Sequence, residues 1–134
     1  MSQIIHVSGK RKSAVARATL RPGKGFVRVN NVPIDIMQPK LSRLKLREPL
    51  ILAGPVANKV DIDISVAGGG ISSQSDASRL TIAKALVAYT KSDKLKEAYL
   101  NYDRNLLVAD VRRKEPAKPN RHGQARAKRQ KSYR

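Results

Sequence analysis

A chain of 134 residues has room for one core and an appendage, and with 40% apolar but only 4% aromatic residues that core must be built mainly from Val, Ile, Leu and Ala. A net charge of +18 demands a polyanionic partner, and the absence of cysteine excludes disulfides, thiolate nucleophiles and thiolate-bound zinc. His6 and His122 stand at opposite ends of the sequence, which argues against a metal site and against a Ser-His-Asp catalytic arrangement.

A membrane surface would also attract such a chain. The sequence has no apolar run long enough to span a bilayer, no secretory signal, and no helix pairing a lysine-rich face with bulky apolar residues. Nucleic acid is the better match, in a reducing, cytoplasmic setting and without a small-molecule substrate or cofactor.

In chain order, "IIHVSGKRKSAVARATL" (4–20) reads as one strand whose second half alternates Val15, Arg17 and Thr19 against Ala14, Ala16 and Ala18. "RPGKG" (21–25) is a turn, and "FVRVNNVPI" (26–34) runs back, so 4–34 is expected to form a hairpin. Residues 35–54 look helical with breaks: Pro39 falls in a first turn after Asp35, and Pro49 opens a second short helix. "VDIDISVAGGG" (60–70) alternates strictly, with Val60, Ile62, Ile64 and Val66 on a buried face and Asp61 and Asp63 on a solvated one.

Ser73 and Asp76 form a capping-box pattern for a helix through about Tyr89. Its two apolar rows, Leu80, Ala83, Val87 and Ile82, Leu86, Tyr89, make it the most buried element expected. A further helix carries Leu95, Ala98, Tyr99 and Tyr102 at i, i+3, i+4, i+7 spacing, and "LLVAD" (106–110) reads as a short final strand. The fold class is α+β: a mixed sheet with helices packed on it.

Charge divides the chain at Asp110. Residues 1–110 carry 18 Lys and Arg against 9 acids; residues 111–134 carry 10 against the single Glu115. Residues 112–134 contain no Val, Ile, Leu, Phe or Met, so they have little apolar surface with which to offset ordering entropy. The expected organisation is a globular body over 1–110 and an extended basic tail over 111–134 that is disordered without RNA.

Three groups could meet phosphates. Lys10, Arg11, Lys12, Arg17, Arg21, Lys24 and Arg28 lie along the expected hairpin, where guanidinium forks suit a track of phosphate oxygens. Gly68, Gly69 and Gly70 precede a helix that carries Arg79. Their spacing matches neither a dinucleotide fingerprint nor a P-loop, leaving a strand-to-helix turn that needs positive φ, or a close backbone approach to an RNA phosphate. The tail supplies Arg112, Arg113, Lys114, Lys118, Arg121, Arg126, Lys128 and Arg129, each able to release counterion on meeting a phosphate. Asp61 and Asp63 read as a solvated strand face, not a catalytic pair, and nothing in the pattern indicates an enzyme.

"SGKRKSAVARATLRPGKGFVRVNN", "GGGISSQSDASRLTIAKAL" and "ARAKRQKSYR", in this order, resemble the family of the ninth protein of the small ribosomal subunit over essentially the whole chain. The ending Ser132-Tyr133-Arg134, where bacterial relatives typically carry Ser-Lys-Arg, and "LLVADVRR" (106–113) resemble the archaeal and eukaryotic branch; the short N-terminus and compact length favour an archaeon. Val111 stands where that branch usually has proline.

The resemblance implies a body like the second domain of the fifth small-subunit protein, bound to small-subunit rRNA in the head beside neighbouring head proteins. It also implies a tail that reaches the peptidyl-site tRNA. Matched onto this chain, Lys131, Ser132, Tyr133 and Arg134 would be the tRNA-proximal residues, with Tyr133 either stacking or packing against rRNA. The alternative reading is a free nucleic-acid chaperone or chromatin-type binding protein.

Overall fold

Strict alternation of small and branched apolar residues builds the centre of the molecule. In the computed structural model, which describes residues 3–130, 132 and 133, five strands form one mixed sheet. They are β1 (Ile5–Arg11), β2 (Ala14–Pro22), β3 (Val27–Val29), β4 (Val32–Pro33) and β5 (Val60–Ala67), in the spatial order β1-β2-β5-β3-β4. All pairings are antiparallel except β3 with β5, which is parallel. The α+β class and the mixed sheet agree with expectation.

The strand connections differ from it. Residues 4–20 are not one strand: the chain reverses at Lys12 (φ 54°) and Ser13, and β1 pairs with β2. The 21–25 turn does not join paired strands, because β5 enters between β2 and β3. Asn30 and Asn31, both at positive φ, close a two-residue hairpin that splits 26–34. The Asn30 side chain then continues the ladder: its Nδ2 donates to the Val66 carbonyl (3.2 Å) and its Oδ1 accepts the Val66 N–H (3.0 Å).

Three helices, α1 (Lys40–Ala53), α2 (Ile71–Thr90) and α3 (Asp93–Tyr102), follow the periodicity of their apolar positions. Helix α2 lies across β1 and β2 and packs against α1. Its buried face is largely small (Ser75, Ala77, Ser78, Thr81, Ala85) and meets Ala14, Ala16 and Ala18, so backbones approach closely. Gly9 belongs to this contact, since a Cβ there would stand 3.0 Å from both Leu80 Cδ2 and Thr81 Cγ2. Between α1 and α2 the Ser42 and Ser75 hydroxyls lie 2.7 Å apart, satisfying each other inside the core. Leu20, Leu46, Ile62, Ile82 and Leu86, all fully buried, fill the larger spaces at about 1.5–3 kcal/mol each.

Other local expectations are corrected. Pro49 does not open a helix; α1 runs through it, the ring is buried, and the Tyr99 hydroxyl donates to the Pro49 carbonyl at 2.7 Å. Helix α2 starts at Ile71 with Gly70 as its N-cap, and Asp76 turns to cations instead of completing a capping box. In α3 Tyr99 is buried and Leu95 half-buried, but Ala98 and Tyr102 face solvent, because the contact with Ala83 and Leu106 is narrow. Residues 106–110 form no strand: a 3-10 turn over Arg104–Leu106 buries Leu106, and the chain continues without regular structure.

The 22–26 loop is organised by one carboxylate. Asp61 Oδ1 accepts the backbone N–H groups of Lys24 (2.9 Å), Gly25 (3.1 Å) and Phe26 (3.0 Å). The Phe26 N–H, then those of Lys24 and Gly25, hold its carboxyl below the ordinary value against a small opposing desolvation. Gly23 rests on the same carboxylate: a Cβ there would fall 2.1 Å from Asp61 Cγ. Gly23→Ala should therefore destabilise the body by about 1–3 kcal/mol in denaturant titration. Since the folded carboxyl titrates below its unfolded value, its contribution is complete above about pH 4 and is lost as pH falls through the folded value. Asp61→Asn should lower stability at pH 7, with the gap to the parent closing below about pH 4.

Candidate nucleic-acid interface

Helix α2 covers one face of the sheet, with α1 and α3 packed against it, so the alternate residues of the strands are left on the other. That open face carries His6, Ser8 and Lys10 of β1, Val15, Arg17, Thr19 and Arg21 of β2, Arg28 of β3, and Asp61, Asp63 and Ser65 of β5. Register places Arg17 between Ser8 and Ser65, and Thr19 between His6 and Asp63. The His6 ring and the Thr19 hydroxyl are 3.1 Å apart.

Asp63 stands between two of the expected phosphate contacts. Its carboxylate holds Arg21 through one oxygen and Arg28 Nε through the other (2.9 Å). Two guanidinium groups offer ten N–H donors, far more than one carboxylate can accept, so the trio keeps outward donors and a net positive charge. Asp61 and Asp63 are thus organisers of the basic face, beyond the solvated role expected of them. The signal was present in the sequence: Asp61 and Asp63 alternate with the apolar residues of β5 as Arg17 and Arg21 alternate with those of β2, which puts each pair on one face.

Lys10, Lys12, Arg17 and Lys24 are exposed and carry no carboxylate partner among the described residues. Arg17 enters a polar cleft with Arg28, Asn30, Asn31 and Ser65.

The β1–β2 turn meets the glycines and the root of the tail. Gly68 (φ 80°) lies against this turn, where a Cβ would be 2.5 Å from the Ser13 carbonyl oxygen, and Gly69 (φ 63°) sits against Ala14. Backbone geometry accounts for these two. Gly70 is different, with ordinary φ and open space where a Cβ would be, at an α2 N-terminus that has no side-chain cap. At the β1–β2 turn Arg11, Lys12, Ser13, Arg112, Arg113 and Lys114 line one hollow. Arg113 Nη1 donates only to the carbonyls of Asp110 and Arg112, at 3.0 and 2.9 Å.

Arg79 is placed elsewhere, and Arg11, although it borders that hollow, is turned inward. Both project to the helix-covered side, with side chains only 17% and 13% exposed. Arg79 of α2 binds Glu48 of α1 and Asp103 after α3 (3.0 Å). Desolvation pulls the Asp103 carboxyl upward, but the Asn105 N–H and Arg79 overcome it and leave it below the ordinary value. Arg11 reaches Asp76 (3.9 Å) and Asp110 (3.5 Å).

From Val111 to Gln130 the chain has neither helix nor strand and is exposed except at Arg121 and Ala125. Lys118 N–H to the Gln124 carbonyl (3.2 Å) and Gln124 N–H to the Arg121 carbonyl (3.0 Å) close a local turn. Glu115 pairs with Arg126 (3.1 Å) and Lys118 (3.5 Å), which hold its carboxyl below the usual range, Arg126 foremost. Lys128 and Arg129 are exposed, and Tyr133 is 90% exposed beside Ser132. Lys131 and Arg134 lie outside the described residues.

Among the described residues the arrangement offers cations and backbone donors without a nucleophile or an acid–base pair in a cleft. The family model for ribosomal protein S9/S16 matches residues 9–134. Small ribosomal subunit protein uS9 of Methanococcus maripaludis strain C7 is 51% identical over 133 residues, 98% of this chain and 99% of that relative; the same protein of strain C5 gives the same values. This agrees with the archaeal-type ending. Matched from within β1 to its last residue, the chain belongs to the ribosomal protein S9/S16 family and is a structural protein of the small ribosomal subunit, not an enzyme.

Proposed function

We propose that the open sheet face and the tail bind small-subunit rRNA in the head of the particle, and that the final residues approach the peptidyl-site tRNA. The observation that carries this reading is the hollow where Lys12, Arg113 and Lys114, none with a carboxylate partner among the described residues, stand together at the β1–β2 turn. Lys10, Arg17, Arg21, Lys24 and Arg28 extend the positive surface along the sheet, and Lys118, Arg121, Arg126, Lys128 and Arg129 extend it along the tail. Gly70 lets a phosphate oxygen approach the first N–H groups of α2. Tyr133 offers a ring to a base, and Lys131 and Arg134 add charge at the tip. Family membership supports an assembled role over that of a free chaperone, which would exchange among nucleic acids.

Beyond its root at residues 111–117 the tail acts here as a chain that gains its order from RNA. Ordering costs about 1–2 kcal/mol of backbone entropy per residue, and dense phosphate contact offsets it. Binding to an rRNA fragment should therefore weaken steeply with salt, and deleting 111–134 should flatten the log–log slope by several contacts at about 0.7–0.9 each. An unchanged slope would remove the tail from the interface. Deleting only residues 130–134 should leave rRNA affinity nearly intact and lower peptidyl-site tRNA retention on reconstituted subunits. Equal retention would end the tRNA reading.

Point substitutions separate the two classes of arginine. Arg17→Gln should reduce the salt slope by about one contact with little change in melting temperature. Arg79→Gln should do the reverse, lowering stability by about 1–3 kcal/mol by removing the charged hydrogen bonds to Glu48 and Asp103, whose carboxylates keep some solvent, with the slope unchanged.

A further inference from the structure

The junction between body and tail is built from charges that make no use of RNA. Arg11 is the last residue of β1 on the helix side, and its guanidinium lies between two carboxylates from distant parts of the chain. One is Asp76 on α2, which also receives Lys45 of α1 at 3.1 Å. The other is Asp110, the last acid before the tail.

Asp110 is itself tied in several ways. Its side chain is only 15% exposed, although the residues that follow are exposed. The Oδ1 atom accepts the backbone N–H of Arg112 at 2.9 Å, Oδ2 accepts Arg112 Nε at 2.9 Å, and the Asp110 carbonyl accepts Arg113 Nη1. One residue thereby closes a local turn on the tail side and an ion pair on the body side. Covered ion pairs of this kind add little net stability compared with apolar packing, because desolvation offsets the Coulomb attraction; they do select one geometry. Their cost is visible in Arg11 Nη1, which is covered and has no hydrogen-bond partner.

We propose that Arg11, Asp110 and Asp76 are positioning residues: a carboxylate–guanidinium junction that fixes the direction in which the basic tail leaves the body before RNA is met. Arg11 serves the tail and touches no phosphate. The aimed tail presents Arg113 and Lys114 beside Lys12, so one continuous positive surface exists in the free protein. The value of that aim rests on the proposal that the tail binds rRNA; the junction itself does not.

Two measurements test it, one without RNA. The chain has no cysteine, so Ser65→Cys with Ala117→Cys gives a background for paired spin labels in the full-length protein. Distances between the labels should form one narrow distribution in the parent and broaden in both Arg11→Gln and Asp110→Asn. Far-ultraviolet circular dichroism of each variant checks the body. If Arg11→Gln unfolds it, Asp110→Asn, at the edge of the body, decides alone. An unchanged distribution would overturn the junction, whatever RNA binding shows.

The second measurement is affinity for an rRNA fragment across salt. Asp110→Asn removes a negative charge, so simple attraction to phosphate makes it bind more tightly. A lost aim instead weakens it by about three- to tenfold, because the tail must be ordered at the moment of binding. Arg11→Gln should weaken binding similarly while keeping the parent salt slope. Tighter binding by Asp110→Asn, or a slope reduced by about one in Arg11→Gln, would make Arg11 a phosphate contact and overturn the proposal.

Discussion

A small body in a chain of net charge +18 can close only if its few carboxylates stand where folding crowds the cations most. The acids are placed accordingly. Asp63 separates Arg21 from Arg28, Asp76 lies between Arg11 and Lys45, Asp103 and Glu48 flank Arg79, and Asp35 meets Arg47. Asp61 gives its charge to three backbone N–H groups that crowd at the 22–26 loop. Among the cations that remain without a carboxylate, Lys10, Lys12, Arg17 and Lys24 lie on the open sheet face or at its rim.

The one-sided layering decides which cations do what. Because α2 rests on the small residues of β1 and β2, side chains pointing towards it must be apolar, tiny or paired. Arg11 and Arg79 are held by carboxylates there, each with one covered N–H left without a partner, and become part of the framework. Their neighbours one residue away on the same strand, or on the other face of the sheet, stay free for a ligand. Identical residue types therefore have opposite roles, separated only by the direction of a Cβ.

Several features are legible in the sequence. The alternation of 60–67 specifies β5, and the two apolar rows of α2 specify the most buried helix. Other features hinge on partners distant in sequence. The reversal at Lys12-Ser13 carries neither glycine nor proline, so residues 4–20 read as one strand; a lysine at φ 54° is held there by the β1–β2 ladder. Pro49 reads as a helix start until Tyr99, fifty residues on, supplies a hydrogen bond to its carbonyl. Arg11 and Arg17 cannot be told apart until the turn between them fixes which face each side chain takes. The insertion of β5 between β2 and β3 has no local signal at all.

That insertion orders events during synthesis. The β1–β2 and β3–β4 hairpins are made first, yet the strand that joins them is residues 60–67, so the inner edges of β2 and β3 wait unpaired while α1 is being made. Waiting edges invite pairing with other nascent chains. Arg17, Arg21 and Arg28 sit on those two edges, and their mutual repulsion discourages such pairing until Asp63 arrives on β5 to neutralise part of it. The charges that suit the finished protein to a polyanion thus also protect the unfinished one from its own copies.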